Sequence, residues 1–280
     1  MGISSVVKVA IELKKAGLFE NIESVIDMGS QEIHLKYDDF IYLMESYGVE
    51  FEIKDFENLK NWPGSPRMST KPFWRTLGLK VTDNLDINNQ HGSIYCNLNL
   101  PFDNKDYLDK YDLVTDFGNN EHPFNVAEAY RTMHRLGKKG AYLWIDQAIF
   151  NGNGYFNFDL SFFEGMAAAN NYGIIYSAFV IDTQDGGQYH IPCPREVLDL
   201  FDFGKINYIG VNYLFRKSST EDFKYPIQGM PDSNNPNKTY KVSYVANKFP
   251  PERYYIPSNI ELNGRYLIKE FIKKIKQKIV

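Results

Sequence analysis

Ile3, Val6, Val7, Ala10, Ile11 and Leu13 fall on one face of a helix over residues 3–16, the spacing of a segment that covers a core. The pattern then changes to a short apolar strand over 23–27, and returns to helical spacing over 37–47 with Phe40, Ile41, Leu43 and Met44. Residues 50–75 hold no clear period and contain Trp62-Pro-Gly-Ser-Pro66, so they read as a loop or insertion. Extended runs follow at 77–86, 93–98 and 111–117. A helix over 125–136 has Asn125 as its cap and Gly137 and Gly140 at its end. Ala141 to Ile145 is a wholly apolar strand, the kind covered by helices on both faces. A helix over 158–170 and strands over 172–181 and 206–216 complete the alternation.

Strands alternating with helices predict an α/β fold, a doubly wound and mainly parallel sheet of seven strands. The last two strands are joined by 182–204, which lack a helical pattern. A right-handed parallel crossover normally carries a helix, so this pair is expected to run antiparallel. The division expected is a core domain over 1–217 and an extension over 218–280. The first part of that extension, 218–260, is irregular but rich in aromatics, which suits a lid or an interaction arm. Its end, 265–280, reads as a basic helix.

Composition narrows the function. The chain has 280 residues, 43% hydrophobic and 24% charged, and a net charge of −4. That balance gives no reason to expect a nucleic-acid partner. Two cysteines, Cys96 and Cys193, build neither a disulfide framework nor a zinc site. Lys8, Glu12, Lys14 and Lys15 interrupt the first apolar stretch, so no signal peptide or membrane span is expected. A cytoplasmic protein is the expectation, with a homodimer allowed.

The chemistry gathers at strand ends. Val25-Ile-Asp-Met-Gly-Ser-Gln31 runs from a strand into an acid and then a glycine. A carboxylate there can meet a ligand across the top of a parallel sheet, and the glycine lets the backbone come close. Asn84-Leu85-Asp86 and Thr115-Asp116-Phe117-Gly118 repeat the strand-then-acid arrangement. A carboxylate such as Asp86 suits two ribose hydroxyls. Asp55 is its rival, closer in sequence to the glycine, but Asp86 leads at once into a turn and a strand.

With those segments in order, residues 20–217 resemble the class I S-adenosylmethionine-dependent methyltransferases. Val25 to Gln31 looks like their first motif, although Gly29 is its one glycine. Asn84-Leu-Asp86 looks like the end of their second strand, Cys96-Asn-Leu98 like the end of the third, and Thr115 to Gly118 like their fourth motif. Tyr142-Leu-Trp-Ile-Asp146 and Asn151-Gly-Asn-Gly-Tyr-Phe-Asn157 resemble a subgroup with a His-Gly-aromatic-aromatic-Asn motif, with Asn153 in the histidine's place.

The resemblance implies S-adenosyl-L-methionine as cofactor, held by Asp27, Gly29, Ser30, Gln31, Asp86, Ile87, Asn97, Leu98, Asp116 and Phe117. It implies methyl transfer to an oxygen of a small or carbohydrate-like acceptor, such as a surface-glycan precursor or its phosphorylated form. His122 is the candidate base and Asp146 a candidate catalytic or orienting acid. Glu121, Tyr155 and Asn157 are candidate acceptor contacts. Asp116, Glu121 and His122 offer oxygen and nitrogen donors, yet their spacing is not a ligand pattern and no metal is expected. His34, His91 and His134 read as structural or solvated, and His190 as an unfavoured rival in the acceptor pocket. A nicotinamide-dependent oxidoreductase and a non-catalytic relative are the alternatives. The first lacks the G-x-G-x-x-G spacing that a pyrophosphate requires.

Overall fold

A computed structural model describes residues 2–184, 188–192, 195, 198, 201–228 and 243–244. In chain order its elements are β1 (Gly2–Ile3), α1 (Ser5–Lys15), β2 (Ser24–Met28), β3 (Glu32–Ile33), α2 (Tyr37–Ser46), α3 (Lys71–Thr76), β4 (Val81–Asp86) and β5 (Ile94–Tyr95). They continue with β6 (Tyr111–Phe117), α4 (Val126–Leu136), β7 (Gly137–Phe150), α5 (Leu160–Ala169), β8 (Gly173–Thr183), β9 (Gln188–Ile191), β10 (Ile206–Arg216) and β11 (Ser243–Tyr244).

The main sheet has the order β11-β8-β10-β7-β6-β2-β4-β5, with β9 paired to β8. From β5 through β7 every pairing is parallel. β10 runs antiparallel to both β7 and β8, as expected from the lack of a helical pattern in the sequence of 182–204. That connection supplies β9, which folds back on β8 instead of crossing the sheet. The chain moves outward from β2 to β4 and β5, then returns to β6 on the other side of β2. The carboxyl ends of β2 and β6 therefore frame the crevice where ligands bind in sheets of this kind.

Alternation along the strands divides the core. Ile26, Val114, Ile145 and Tyr213 join one cluster with Ala129, Tyr130 and Met133 of α4 and Phe163 and Met166 of α5. Val25, Leu113, Trp144 and Leu214 join the other, with Val7 and Ile11 of α1, Phe40 and Met44 of α2, and Phe73 and Trp74 of α3. Helices thus cover both faces, and all seven residues of β6 are buried. The spacing-based helices at 3–16, 37–47 and 125–136 match α1, α2 and α4, and the Asn125 side chain accepts from the Glu128 amide at 3.4 Å.

Several elements differ from expectation: β9 and β11 bring the sheet to nine strands instead of seven, and the run expected over 77–86 is strand only from Val81. The stretch 50–75 holds a 3-10 helix (Ile53–Asn61) and α3 rather than plain loop. Its order comes from packing of Phe56, Leu59, Phe73 and Trp74 into the core, not from a helical period. The third strand shortens to Ile94–Tyr95, and the fifth lengthens to fourteen residues because β10 pairs along it.

The start of the C-terminal extension lies away from the carboxyl ends of β2 and β6. Lys217 is buried and its ammonium donates to the carbonyls of His134 and Gly137 at 2.8 and 2.7 Å, at the end of α4. Phe223 is buried, and Lys224 exchanges hydrogen bonds with Asn170 after α5. Residues 218–228 therefore run along α4 and α5. The rest of the expected lid, apart from β11, and the basic helix over 265–280 lie outside the described residues, as does Cys193. Among the described residues no helix is long and apolar enough to cross a membrane.

One buried carboxylate holds three segments together. Asp27 of β2 accepts from Thr70 Oγ1 at 2.5 Å, from Trp74 Nε1 at 3.1 Å and from Thr115 Oγ1 of β6. Removing it strands three donors in the core, and one such donor costs about 1–3 kcal/mol. Asp27→Ala should therefore lose at least about 2 kcal/mol in urea denaturation. A variant within about 0.5 kcal/mol of wild type, the usual range of a surface change, would contradict this role.

Candidate active site

Five acids stand at or near the carboxyl ends of β2, β4, β6, β7 and β8: Asp27, Asp86, Asp116, Asp146 and Asp182. All five strands point the same way, so these groups share one edge of the sheet. They divide into two that are enclosed and three that face space.

Asp27 and Asp116 are the enclosed pair. Asp116 accepts from the amides of Asn119 and Asn120 at 3.2 and 3.0 Å and from Gln147 Nε2 at 2.7 Å. It thereby shapes the turn after β6 that carries Glu121 and His122. Burial pushes the Asp27 carboxyl up to about 6 and that of Asp116 up to about 7. Both were expected to contact a cofactor; their oxygens are instead occupied by neighbouring donors, and neither lines the two cavities at this edge.

The smaller cavity, about 360 Å³, lies over the ends of β4 and β5. Asp86, Ile87, Asn97 and Leu98 line it with Cys96, Asn119 and His122. Asp86 is held by the Ser30 amide and hydroxyl, both at 2.8 Å, and by the Asn88 amide at 3.1 Å. Ser30 can donate there because Gly29 turns with φ +82, a conformation that favours glycine, while its own amide bonds the Leu85 carbonyl. Ser30 and Gln31 are themselves buried, and Gln31 donates to the Met28 carbonyl. These residues support the cavity wall from behind. Asp55, the rival for Asp86, falls in the 3-10 helix Ile53–Asn61 and lines neither cavity.

The larger cavity, about 630 Å³, opens beside it. Its wall includes Phe117, Gly118, Glu121, His122, Asp146, Asp182 and Tyr208, with Gly2 to Val6 and His34 from the N-terminal segment. Glu121 is buried and accepts from the Ala148 amide at 3.3 Å. The loop 151–157 presses against it: a Cβ on Gly154 would stand 2.7 Å from the Glu121 carbonyl oxygen. Asp146 accepts from Asn212 Nδ2 at 3.2 Å, and burial with Asp182, Asp116 and Glu121 nearby raises it to about 7. Burial lowers the His122 imidazole below its ordinary value, so near neutral pH the ring is uncharged and can accept a proton. Its Nε2 is 3.7 Å from Glu121 Oε1.

His122 borders both cavities. Among the sequence candidates, His122, Asp146, Phe117 and Glu121 meet at the larger space, and Asp86, Ile87, Asn97 and Leu98 at the smaller. Tyr155 stays outside, 74% exposed, with its ring edge-on to Phe124. Asn157 spends its side-chain oxygen on the Gly152 amide at 2.8 Å, so it shapes the loop. Asp182, Tyr208 and His34 were not foreseen. Asp182 ends a strand in an acid as the others do, and that signal was available. Tyr208 enters from the antiparallel β10. His34 is stacked on Trp62 at 4.2 Å, a placement fixed by the folded insertion. His134 packs between Tyr172 and the Glu221 carbonyl, and His190 is within hydrogen-bond distance of Ser5; neither lines a cavity at this edge. His91 stands 3.3 Å from Glu32. Among the described residues no group of three His, Cys, Asp or Glu is arranged to hold a metal ion.

No family model matches the chain, and no curated protein matches it significantly. Solved structures of similar fold include the following three. A 1,6-didemethyltoxoflavin-N1-methyltransferase from Burkholderia thailandensis, with S-adenosylhomocysteine bound, is 11% identical over 76% of this chain and 80% of its own, TM-score 0.38. A SAM dependent methyltransferase from Archaeoglobus fulgidus is 12% identical over 75% and 93%, TM-score 0.38. The YcgJ protein from Bacillus subtilis is 15% identical over 75% and 99%, TM-score 0.40.

The electrostatics of the enclosed pair can be tested. A carboxyl whose folded value is raised binds its proton more tightly in the native state, so its contribution falls as pH rises from about 4 to about 7. The stability advantage of wild type over Asp116→Asn should therefore shrink between pH 5 and pH 8, by no more than about 3 kcal/mol. Urea midpoints at the two pH values measure it. An advantage that does not change between the two pH values would mean that Asp116 is ionised throughout.

Proposed function

We propose that this chain is an S-adenosylmethionine-dependent methyltransferase acting on an oxygen of a small, hydroxyl-bearing acceptor. The supporting observation is that a nucleoside-sized cavity and a larger cavity meet at His122. The smaller one suits the adenosine half of the cofactor. Asp86 stands at its wall with acceptor capacity for ribose hydroxyls, and Ile87, Leu98 and Asn97 offer apolar and polar surface for a purine. The cofactor, when bound, supplies an electrophilic methyl group on a sulfonium.

The chain's own residues do the rest. The uncharged His122 imidazole accepts the proton of the acceptor hydroxyl as the carbon–oxygen bond forms. The resulting imidazolium is stabilised by Glu121, 3.7 Å away. Asp146, oriented by Asn212, faces the same cavity and can hold a second acceptor hydroxyl. Phe117 packs edge-on against Trp144, ring centres 5.2 Å apart, and gives the cavity a rigid apolar floor. Positioning and a dry wall supply much of the acceleration in a reaction of this type.

The nicotinamide reading gains nothing from the turn after β2. A pyrophosphate needs approach to free amides, whereas the Gly29 amide is bonded to Leu85 and the Ser30 amide to Asp86. Glu32 adds a carboxylate at the same corner.

Calorimetric titration of the full chain with S-adenosylhomocysteine tests the proposal. Binding is expected, and Asp86→Ala should weaken it about ten- to a hundredfold, the cost of a charge-assisted hydrogen bond. Asp27→Ala should affect it only through stability. Saturable binding of NAD without S-adenosylhomocysteine would favour the oxidoreductase, and binding of neither would favour a non-catalytic relative. With an acceptor found by transfer of labelled methyl, His122→Ala should lower kcat on the order of 10²–10⁴-fold. Nearly full turnover in that variant would leave positioning alone as the source of rate.

A further inference from the structure

Away from the sheet edge, residues 221–228 form a strap over α4 and α5. On the α4 side, Arg131 bonds Asp222 at 3.2 Å and the His134 ring meets the Glu221 carbonyl at 2.8 Å. On the α5 side, Asn170 and Lys224 exchange hydrogen bonds, and Gln228 Nε2 donates to Ser161 Oγ at 3.4 Å. A Cβ on Gly165 of α5 would stand 3.5 Å from Pro226 Cβ, so the strap crosses that helix in contact with it. The strap is tied on both flanks, and a cavity of about 680 Å³ lies between it and the helices. Among the described residues it shares no lining residue with the two cavities at the sheet edge.

Its described walls are mostly apolar: Tyr130 from α4, Phe162 and Met166 from α5, and Phe223, Tyr225 and Ile227 from the strap. Tyr225 and Ile227 stay 48% and 47% exposed, so the strap leaves apolar surface in water. A cavity of this size and lining, with a few polar groups at its wall, has the profile of a small-molecule site. It has room for fewer than about two turns of a helix roughly 10 Å across, which argues against a helical segment of this chain or of a partner as its occupant.

Two carboxylates stand at the wall and differ. Asp159 is occupied: it accepts from the Ser161 amide at 2.9 Å and from Arg195 at 3.0 Å. Glu164 is half-buried, and burial raises its carboxyl against the opposing pull of Arg195 and the Tyr213 phenol. Two carboxylate oxygens can take several donors, so Glu164 keeps acceptor capacity for a ligand. With Arg195 beside the pair, a second cation is not called for, and an anion would enter apolar surroundings facing two acids. We infer that this cavity binds a small, uncharged, ring-bearing molecule with one hydroxyl or amino donor, its rings against Phe162, Tyr225 and Ile227 and its donor on Glu164.

Equilibrium dialysis of the full chain against naphthol, its methyl ether and naphthoate tests this. Naphthol should bind saturably, about three- to tenfold tighter than the ether, which keeps the rings and loses the donor. Naphthoate should bind most weakly. Glu164→Leu should erase the preference for naphthol over the ether while both still bind. Ala127→Trp, at the exposed rim of the cavity, should weaken both at least about tenfold by putting its own ring in their place. Urea midpoints near that of wild type check the folding of each variant. Absence of saturable naphthol binding, a preference that survives Glu164→Leu, binding unchanged in Ala127→Trp, or naphthoate held as tightly as naphthol overturns the assignment.

Discussion

The carboxylate of Asp27, buried between two strands and a short helix, is the constraint on which the rest of the architecture depends. It is charged in water and surrounded in the fold by apolar core, so it can be enclosed only where donors reach it. Thr115 brings β6, and Thr70 and Trp74 bring the folded insertion. The insertion, read from sequence as loop, is thus anchored at the centre of the sheet. From Trp74 the contacts continue: its ring lies 6.4 Å from that of Trp144, Trp144 Nε1 donates to Asn212 at 2.7 Å, and Asn212 donates to Asp146. A continuous chain of packed and bonded groups links Asp27 of β2 to Asp146 at the wall of the larger cavity.

That chain explains why some acids of the sheet edge are buried and others face space. Asp27 and Asp116 are consumed in holding β2, β6 and the turn beyond them. Asp86, Asp146 and Asp182 keep one side toward a cavity. Both spaces are lined by the turn that Asp116 holds, and His122 on that turn borders each of them. Position in the fold, more than residue type, determines whether a carboxylate supports the site or serves it.

Much of the architecture was legible in the residue pattern. β6 and β10 have the bounds read from their apolar runs, and the antiparallel placement of β10 followed from the missing crossover helix. The extent of β7 was not legible, because its polar end, Asp146 to Phe150, is made strand by pairing with β10 rather than by its own alternation. α3 was hidden for a similar reason: Phe73 and Trp74 gain their order from distant core partners. In the site, the rule of an acid at a strand's end located Asp86 and Asp146. It could not distinguish them from Asp27 and Asp116, since that depends on which donors the fold brings within reach. Tyr155 and Asn157 were misplaced by a motif whose spacing survives while its side chains turn to the surface or to the loop's own amides.

The central claim is that two adjoining cavities act as one methyl-transfer site with His122 between them. A crystal structure of the full chain with S-adenosylhomocysteine tests it most directly. The ribose is expected on Asp86, the purine between Ile87 and Leu98, and the sulfur beside His122, facing the larger cavity. A nucleoside bound elsewhere, or one whose sulfur points away from the space lined by Asp146 and Glu121, would contradict it.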